Sequence, residues 1–459
     1  MKTDNSFKIC IVGLGPAGIG AALTFMNSNL ASQVVCLDAG NSPDKRFCAV
    51  LLEKSDCKRE KICSMVSGFG GCSFLGGGKI STFPAGTRLS SILGSEELSK
   101  KELSRALRLL RYYLPLQKPK TTPADIRTAK ALFEKLGFDY RYYDSYLCSL
   151  EERHKAYQEI FLELKAAGTQ LLVNTELVNI RPRKTGFELG VRQGERDVTF
   201  FAEHLVLGVG RLGRTMLRNL NTELNLGGKE NHLDVGVRLE FPTSLFPDVN
   251  KYHNDLKLKY DNARTFCVCK YGKVAPYLLE NMFFTDGYRS AKSDSGFTNL
   301  GITVRLQPSK RNRTILNGIK KRLLRLGDGR PVRQTLPDYL GVNSANCYSL
   351  KRLDNSISFW IEGDVNLCFP KPISTKIREA VYYFASRLLP GDRWGEVSVF
   401  APEVEYGGLS FPVNSDFSII PRMYLIGDCA GRFRGVLQAF CSGIICAETI
   451  RGDIHEKRL

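Results

Sequence analysis

The 459-residue chain predicts an α/β fold in which a parallel sheet is assembled from both ends of the chain and an α+β unit is inserted between them. Three observations carry this reading. Near the start, an apolar, β-branched run over 7–12 leads into Gly13-Leu14-Gly15-Pro16-Ala17-Gly18. A helix over 19–27 follows, then a second strand over 33–37 that ends in Asp38. Near the end, a strand over 423–426 runs into Gly427-Asp428-Cys429-Ala430-Gly431, then Arg434-Gly435 and a helix over 436–450. Between about 222 and 400 the pattern changes to strands interleaved with one basic helix and one apolar helix over 377–389.

The first motif reads strand, GxGxxG, helix, strand, acid, with Asp38 lying 20 residues beyond Gly18. The first glycine permits a tight turn, and the second lets the backbone approach a pyrophosphate. The third lets helix and strand pack closely, while the acid hydrogen-bonds a ribose. The helix N-terminus supplies oriented N–H donors for phosphates. Gly13, Gly15, Pro16, Ala17, Gly18 and Asp38 are therefore candidate dinucleotide contacts in a Rossmann-like unit. A strand ending in Gly-Asp before a helix matches the second contact of a two-part FAD site. There Gly427 and Asp428 meet the ribityl chain, and Gly435 and Val436 open the helix that points at the flavin ring. The two motifs together favour FAD over free NAD.

The intervening elements follow from periodicity. Leu98, Leu103, Leu107, Leu110 and Leu114 recur at helical spacing before Pro115 stops the run, and 124–137 and 152–168 read as further amphipathic helices. The expected division is 1–120, 155–221 and 401–459 for the cofactor-binding domain. Residues 121–154 form a helical connection and 222–400 a substrate or cap domain.

Composition bounds the function. With 43% hydrophobic and 24% charged residues, disordered, collagen-like and small disulfide-scaffold chains are excluded. The longest apolar stretch, 9–25, is broken by glycines and Pro16, so no membrane span is expected. The first residues lack a secretory pattern, which makes the cytoplasm the expected location. The 65 Lys and Arg against 47 Asp and Glu leave +18, favouring anionic partners: a small molecule, a carrier-bound substrate or RNA. Nine of those basic residues fall within 310–333, with Asp328 the one acid there. Aromatics are not interleaved with them, which ranks RNA behind a small anionic substrate. The 14 cysteines read as reduced thiols.

Taken over nearly its whole length, the chain resembles the two-dinucleotide-binding-fold flavoproteins of glutathione-reductase-like fold. More narrowly it resembles the bacterial uncharacterised FAD-dependent dehydrogenases, an NAD(P)/FAD-dependent oxidoreductase group. The stretches that carry this are GLGPAGIGAA (13–22), GFGGCSFLGGGK (68–79), LVLGVGRLG (205–213), LDVGVRLEFP (233–242), RTFCVCKYGKV (264–274) and YLIGDCAGRFRGVLQAFCSGI (424–444). The resemblance implies that Gly208, Gly210 and Arg211 lie against the adenosine–pyrophosphate side of FAD. Relatives carry Ser-Asp-Gly-Lys where this chain has Gly76-Gly77-Gly78-Lys79, and often three cysteines where it has Cys57, Glu60 and Cys63.

Several groups are candidates for chemistry. The tract from Gly68 to Gly78 would cross the cofactor, with Gly70 and Gly71 at close approach and Ser73 and Lys79 as its polar groups. Lys79 has two readings: a cation beside a reduced flavin or acidic substrate, or a surface lysine closing a flexible loop. Arg238 and Glu240 share a strand face, either as a substrate-binding pair or as a solvent-side or interdomain salt bridge. Tyr271 and Tyr288 are unranked acid–base candidates. The second GxGxxG, Gly208 to Gly213, is set aside as an NAD(P) site with Asp234 as its acid, because no complete βαβ unit follows. Cys48, Cys57, Cys63 and Cys72 lack metal or dithiol spacing, so no metal is expected. Cys267 and Cys269 are assigned to opposite faces of a strand and set aside as a redox pair. The combined expectation is an FAD-dependent oxidoreductase that moves a hydride at the flavin's N5, with O2 or NAD(P)H as possible second partner. An RNA-modifying flavoprotein is the alternative.

Overall fold

The computed structural model describes residues 5–246, 252–292, 294–342, 354–406 and 408–456. Its first sheet has the strand order Ser418–Ile420, Met423–Leu425, Arg196–Leu207, Ser6–Val12, Val34–Leu37, Gln170–Leu172. From Met423–Leu425 onward every neighbour in that order is parallel. These strands are apolar runs because both faces are covered: Val34 to Leu37 are all buried, as are Ile9 to Val12. Thr175–Arg183 and Gly186–Gln193 form an antiparallel meander that feeds Arg196–Leu207 into the sheet beside the first strand. The second glycine motif thus closes a strand of this same sheet. It does not open a separate nucleotide-binding unit.

One face is covered by the helices Pro16–Met26 and Val436–Glu456, which pack backbone to backbone. A Cβ on Gly443 would lie 1.9 Å from Ala17 O, so glycine sets how closely they approach. Three surface helices start where their caps dictate. Ser95 accepts from Leu98 N ahead of Glu96–Tyr113, and full capping boxes open Pro123–Lys135 and Leu150–Ala166.

The second sheet runs Lys273–Leu279, Met282–Tyr288, Ser398–Tyr406, Leu233–Pro242, Phe297–Leu306, Ala263–Lys270, Lys257–Tyr260, Asp139–Arg141. Its last strand lies in the segment read as a helical connection. That strand is three residues long, with only Tyr140 turned inward, too short to show an alternation. The helix Lys371–Leu388 packs Ile377, Val381 and Phe384 inward, and the basic helix Arg311–Gly327 buries Leu316, Ile319 and Leu323. Among the described residues no helix is long and apolar enough to cross a membrane.

Candidate functional site

Four glycine-bearing turns meet at the C-terminal edge of the first sheet. The registers Val12↔Leu37, Val12↔Leu207 and Leu207↔Leu425 bring the ends of four parallel strands level, the edge where open α/β sheets take their ligands. Gly13 has φ +94°, and a Cβ there would sit 2.4 Å from Gly208 O. The turns after the strands Ser6–Val12 and Arg196–Leu207 therefore touch through backbone alone. Gly71, at φ +53°, brings the third tract in, since a Cβ on it would lie 2.9 Å from Gly15 Cα. Gly70 N donates to Leu14 O at 2.7 Å. The fourth turn joins at Gly427, whose added Cβ would meet Ala17 Cβ at 2.9 Å. Gly18 supports the same corner, with no room for a side chain against Gly13 O.

Asp38 stands at the end of the second strand and is buried. Its Oδ2 accepts from Leu14 N at 2.7 Å, and its Oδ1 accepts from Gly40 N at 2.8 Å and Gly68 N at 3.0 Å. The acid thus ties the first glycine turn to the glycine tract. Ser73 is also turned inward, donating to Gly70 O and sharing a hydrogen bond with the Tyr157 hydroxyl, each at 2.6 Å.

Beside the turns lies a small pocket lined by Gly210, Arg211, Arg214, Leu217, Phe411 and Asp428. Its charges come from both sheets. Arg211 pairs with Glu405 at 2.8 Å and lies 3.7 Å from Asp428; Arg434 pairs with Glu405 and lies 3.4 Å from Asp428. Burial, with Arg211 and Arg214 alongside, pushes the Arg434 guanidinium well down. Two acceptors at this corner, Asp428 Oδ1 and Gln438 Oε1, are buried without a hydrogen-bond partner. Gln438 lies in the first turn of the helix that starts at Val436, directly after Gly435. Unpaired acceptors, a helix N-terminus and bare backbone turns fit a ligand with hydroxyls and phosphates, as FAD has.

The remaining candidates lie on the second sheet, and several readings change. Lys79 is not a surface lysine. It is half-buried, paired with Asp255 at 2.9 Å and donating to Val268 O at 3.0 Å. Although burial opposes it, Asp255 holds the ammonium's pKa above its usual value. Arg238 and Glu240 are neither solvent-side nor paired with each other; both are fully buried. Arg238 grips Glu403 of the adjacent strand with Nε at 2.9 Å and Nη2 at 2.5 Å, and donates to Asn299 Oδ1 at 2.8 Å. Burial raises Glu403 to about 7 against the pull of Arg238. Glu240 accepts from Ser356 N and Asn355 Nδ2, both at 3.0 Å, and burial raises it as well. Tyr271 occupies the turn before Gly272, while Tyr288 is buried in the strand Met282–Tyr288. Asp234 is fully buried between Arg264 and Arg305, which leaves its carboxylate committed to arginine.

The thiols divide. Cys48 and Cys63 are half-buried and raised by burial, and Cys72 is exposed at the glycine tract. Cys267 and Cys269 correct the sequence reading: residues two apart share a strand face, and their sulfurs lie 3.9 Å apart. Among the described residues no group of three or more His, Cys, Asp or Glu is arranged to hold a metal. Sequence reasoning missed Glu403, Glu405, Arg434 and Gln438. The two acids had a signal, since they alternate within the otherwise apolar strand SVFAPEVEY.

Comparison with known proteins adds the following. No family model matches the chain. A curated protein of Clostridium beijerinckii, described only as an uncharacterized protein, is 26% identical over 316 residues, or 65% of this chain and 51% of its own length. The chain thus spans about half the length of the curated relative it matches. Among solved structures it is similar to p-nitrophenol 4-monooxygenase of Pseudomonas putida, at 12% identity over 99% of this chain and 82% of that one, TM-score 0.42. It is similar to a flavoprotein/dehydrogenase of Cytophaga hutchinsonii, at 12% identity over 98% and 79%, TM-score 0.43. Glycine oxidase of Geobacillus kaustophilus is similar at 13% identity over 98% and 95%, TM-score 0.39.

Proposed function

We propose that the protein is an FAD-dependent oxidoreductase acting on a small anionic or carrier-bound substrate. The observation that carries this is the meeting of four glycine turns at level strand ends, beside two buried acceptors, Asp428 Oδ1 and Gln438 Oε1, that have no hydrogen-bond partner. In this reading 1–120, 155–221 and 401–459 form the cofactor domain and 222–400 covers it. The backbone from Gly13 to Gly18 and the start of the helix Pro16–Met26 take the pyrophosphate, with Gly208, Gly210 and Arg211 alongside. Asp38 keeps acceptor capacity for a ribose hydroxyl beyond its three backbone bonds. Asp428 and Gln438 accept from the ribityl hydroxyls, and Gly435 and Val436 open the helix that faces the ring. Gly70 and Gly71 leave room for the cofactor, Ser73 braces their turn from within, and Lys79 anchors the tract to the second sheet.

FAD, when bound, supplies two-electron hydride chemistry. The chain's part is to bind, to exclude water and to set charge. Arg211, Arg214 and Arg434 give the cavity a positive potential that draws an anionic substrate. NAD(P)H or O2 is the second electron partner. No feature of the described residues favours an RNA-acting protein over this reading.

Anaerobic titration of the FAD-reconstituted protein with NADH and then NADPH, followed by air, tests the proposal. The expected result is bound flavin whose visible absorption bleaches on reduction and returns in air. Bleaching by one nicotinamide marks a reductase or oxygen-using enzyme. Indifference to both marks a flavin reduced by its own substrate. A protein that takes up no flavin after reconstitution overturns the reading.

A further inference from the structure

The strand Ala263–Lys270 skips a residue against its neighbour between Phe266 and Cys269, and within that bulge Cys267 adopts φ +47°. A left-handed conformation is disfavoured for a side chain of this kind. Its effect is specific: it brings the Cys267 sulfur to 3.9 Å from that of Cys269. Cys269 Sγ also lies 3.3 Å from Cys267 O, and Cys267 Sγ lies 3.6 Å from Gly287 O. Gly287 keeps the space open, since a Cβ there would sit 2.8 Å from Cys269 Sγ. Two cations hold the backbone around the pair. Lys79 donates to Val268 O at 3.0 Å, and Arg238 Nη1 donates to Cys267 O at 3.1 Å. Cys269 is buried and Cys267 half-buried, so Cys267 is the more exposed member of the pair.

We propose that Cys267 and Cys269 are a redox-active dithiol that closes to an intramolecular disulfide on reaction with a low-molecular-weight disulfide. Burial alone would raise Cys269, but the Cys267 hydrogen bond and the charges of Lys79 and Arg238 bring it down, while Cys267 is pushed up. The proton that the pair keeps therefore sits on Cys267, with Cys269 as the thiolate. As the Cys267 sulfur attacks one sulfur of the external disulfide and expels the other as a thiolate, its proton passes to Cys269. The expelled thiolate takes the proton from Cys269. The Cys269 thiolate then attacks the Cys267 sulfur and expels the second external thiolate, which is protonated by water. Two protein thiols are oxidised by two electrons, and one external disulfide is reduced to two thiols. From 3.9 Å, side-chain rotation brings the sulfurs to the ~2.05 Å of a disulfide bond. No bound flavin is needed, so this inference and the function proposed above fail separately.

The full-length protein, with and without FAD, is treated with oxidised glutathione, quenched with a maleimide and mapped by peptide mass. The expected wild-type peptide has lost two hydrogens, carries no maleimide at Cys267 or Cys269, and regains both sites after dithiothreitol. Cys269→Ser is expected to stop at a stable glutathione adduct on Cys267. Wild-type protein that keeps both thiols open to maleimide, or that halts at the adduct, overturns the proposal. If Cys269→Ser fails to fold, phenylarsine oxide on wild-type protein replaces it, because the arsenic bridges two adjacent thiols. Protection of both cysteines from maleimide at one equivalent supports the pair, and no protection overturns it.

Discussion

The two sheets handle polar groups in opposite ways. At the edge of the first, glycine turns leave backbone uncovered by side chains, and Asp428 Oδ1 and Gln438 Oε1 are buried without a hydrogen-bond partner. Inside the second, Arg238 is matched to Glu403 and Asp234 to Arg264 and Arg305, while Glu240 is held by hydrogen bonds from Ser356 and Asn355. In the proposed reading the cofactor completes the first arrangement. The ion pairs of the second are closed within the protein, so they serve to hold strands in place, and removing one partner strands the other in a dry interior. Substitutions in the two regions should therefore fail differently, one in binding and one in stability.

The largest effect is expected at Arg238. Arg238→Met leaves Glu403 buried opposite an apolar side chain, and losing one member of such a pair costs about 3–5 kcal/mol. Denaturant midpoints should record that loss. Replacing both, Arg238→Met with Glu403→Leu, should recover most of it, because two matched apolar groups leave no stranded charge. A single variant as mild as the double would break the comparison. A smaller stability effect is expected at Gly13. Gly13→Ala puts a Cβ 2.4 Å from Gly208 O at φ +94°, a strain of about 1–3 kcal/mol. Its greater consequence should be in flavin retention, read as the ratio of visible to protein absorbance after reconstitution. Normal retention with a lowered melting temperature would move Gly13 from the binding edge to a packing role.

The same contrast explains what could be read from the sequence. Glycine motifs encode backbone geometry locally, so Gly13 to Gly18, the second strand ending at Asp38 and the Gly427-Asp428 turn were legible from a few adjacent residues each. The charge layer pairs residues far apart in the chain, such as Arg238 with Glu403, and no local spacing announces which acid a buried arginine will meet. Lys79 was ambiguous for that reason: its partner Asp255 comes from another strand region. Cys267 and Cys269 were misread through the periodicity itself, because the alternation of a strand puts neighbours two apart on one face. The bulge between Phe266 and Cys269 could not have been anticipated from composition.

The second sheet also contains a charge-free test of the comparison. His253 is buried against the rings of Tyr142 and Tyr143, at 5.0 and 4.6 Å. Burial brings it down from 6.5 to about 4, with Asp255 opposing and Lys257 and Lys79 assisting. Below about 6.5 the unfolded chain takes a proton that the folded protein refuses. This contribution is therefore intact above pH 6.5 and is lost as pH falls toward 4, with a slope of about 1.4 kcal/mol per pH unit. His232, also lowered to about 4, adds in the same direction. Glu403, raised from 4.5 to about 7, opposes them, since its stabilising protonation is lost as pH rises through that window. The difference between wild type and His253→Phe isolates one residue from this sum. Denaturation measured at intervals from pH 7 to pH 4 should show the variant losing less stability on acidification, by roughly one proton's slope. Identical slopes would mean that the folded protein protonates His253 as readily as the unfolded chain does, and that this part of the interior admits charge.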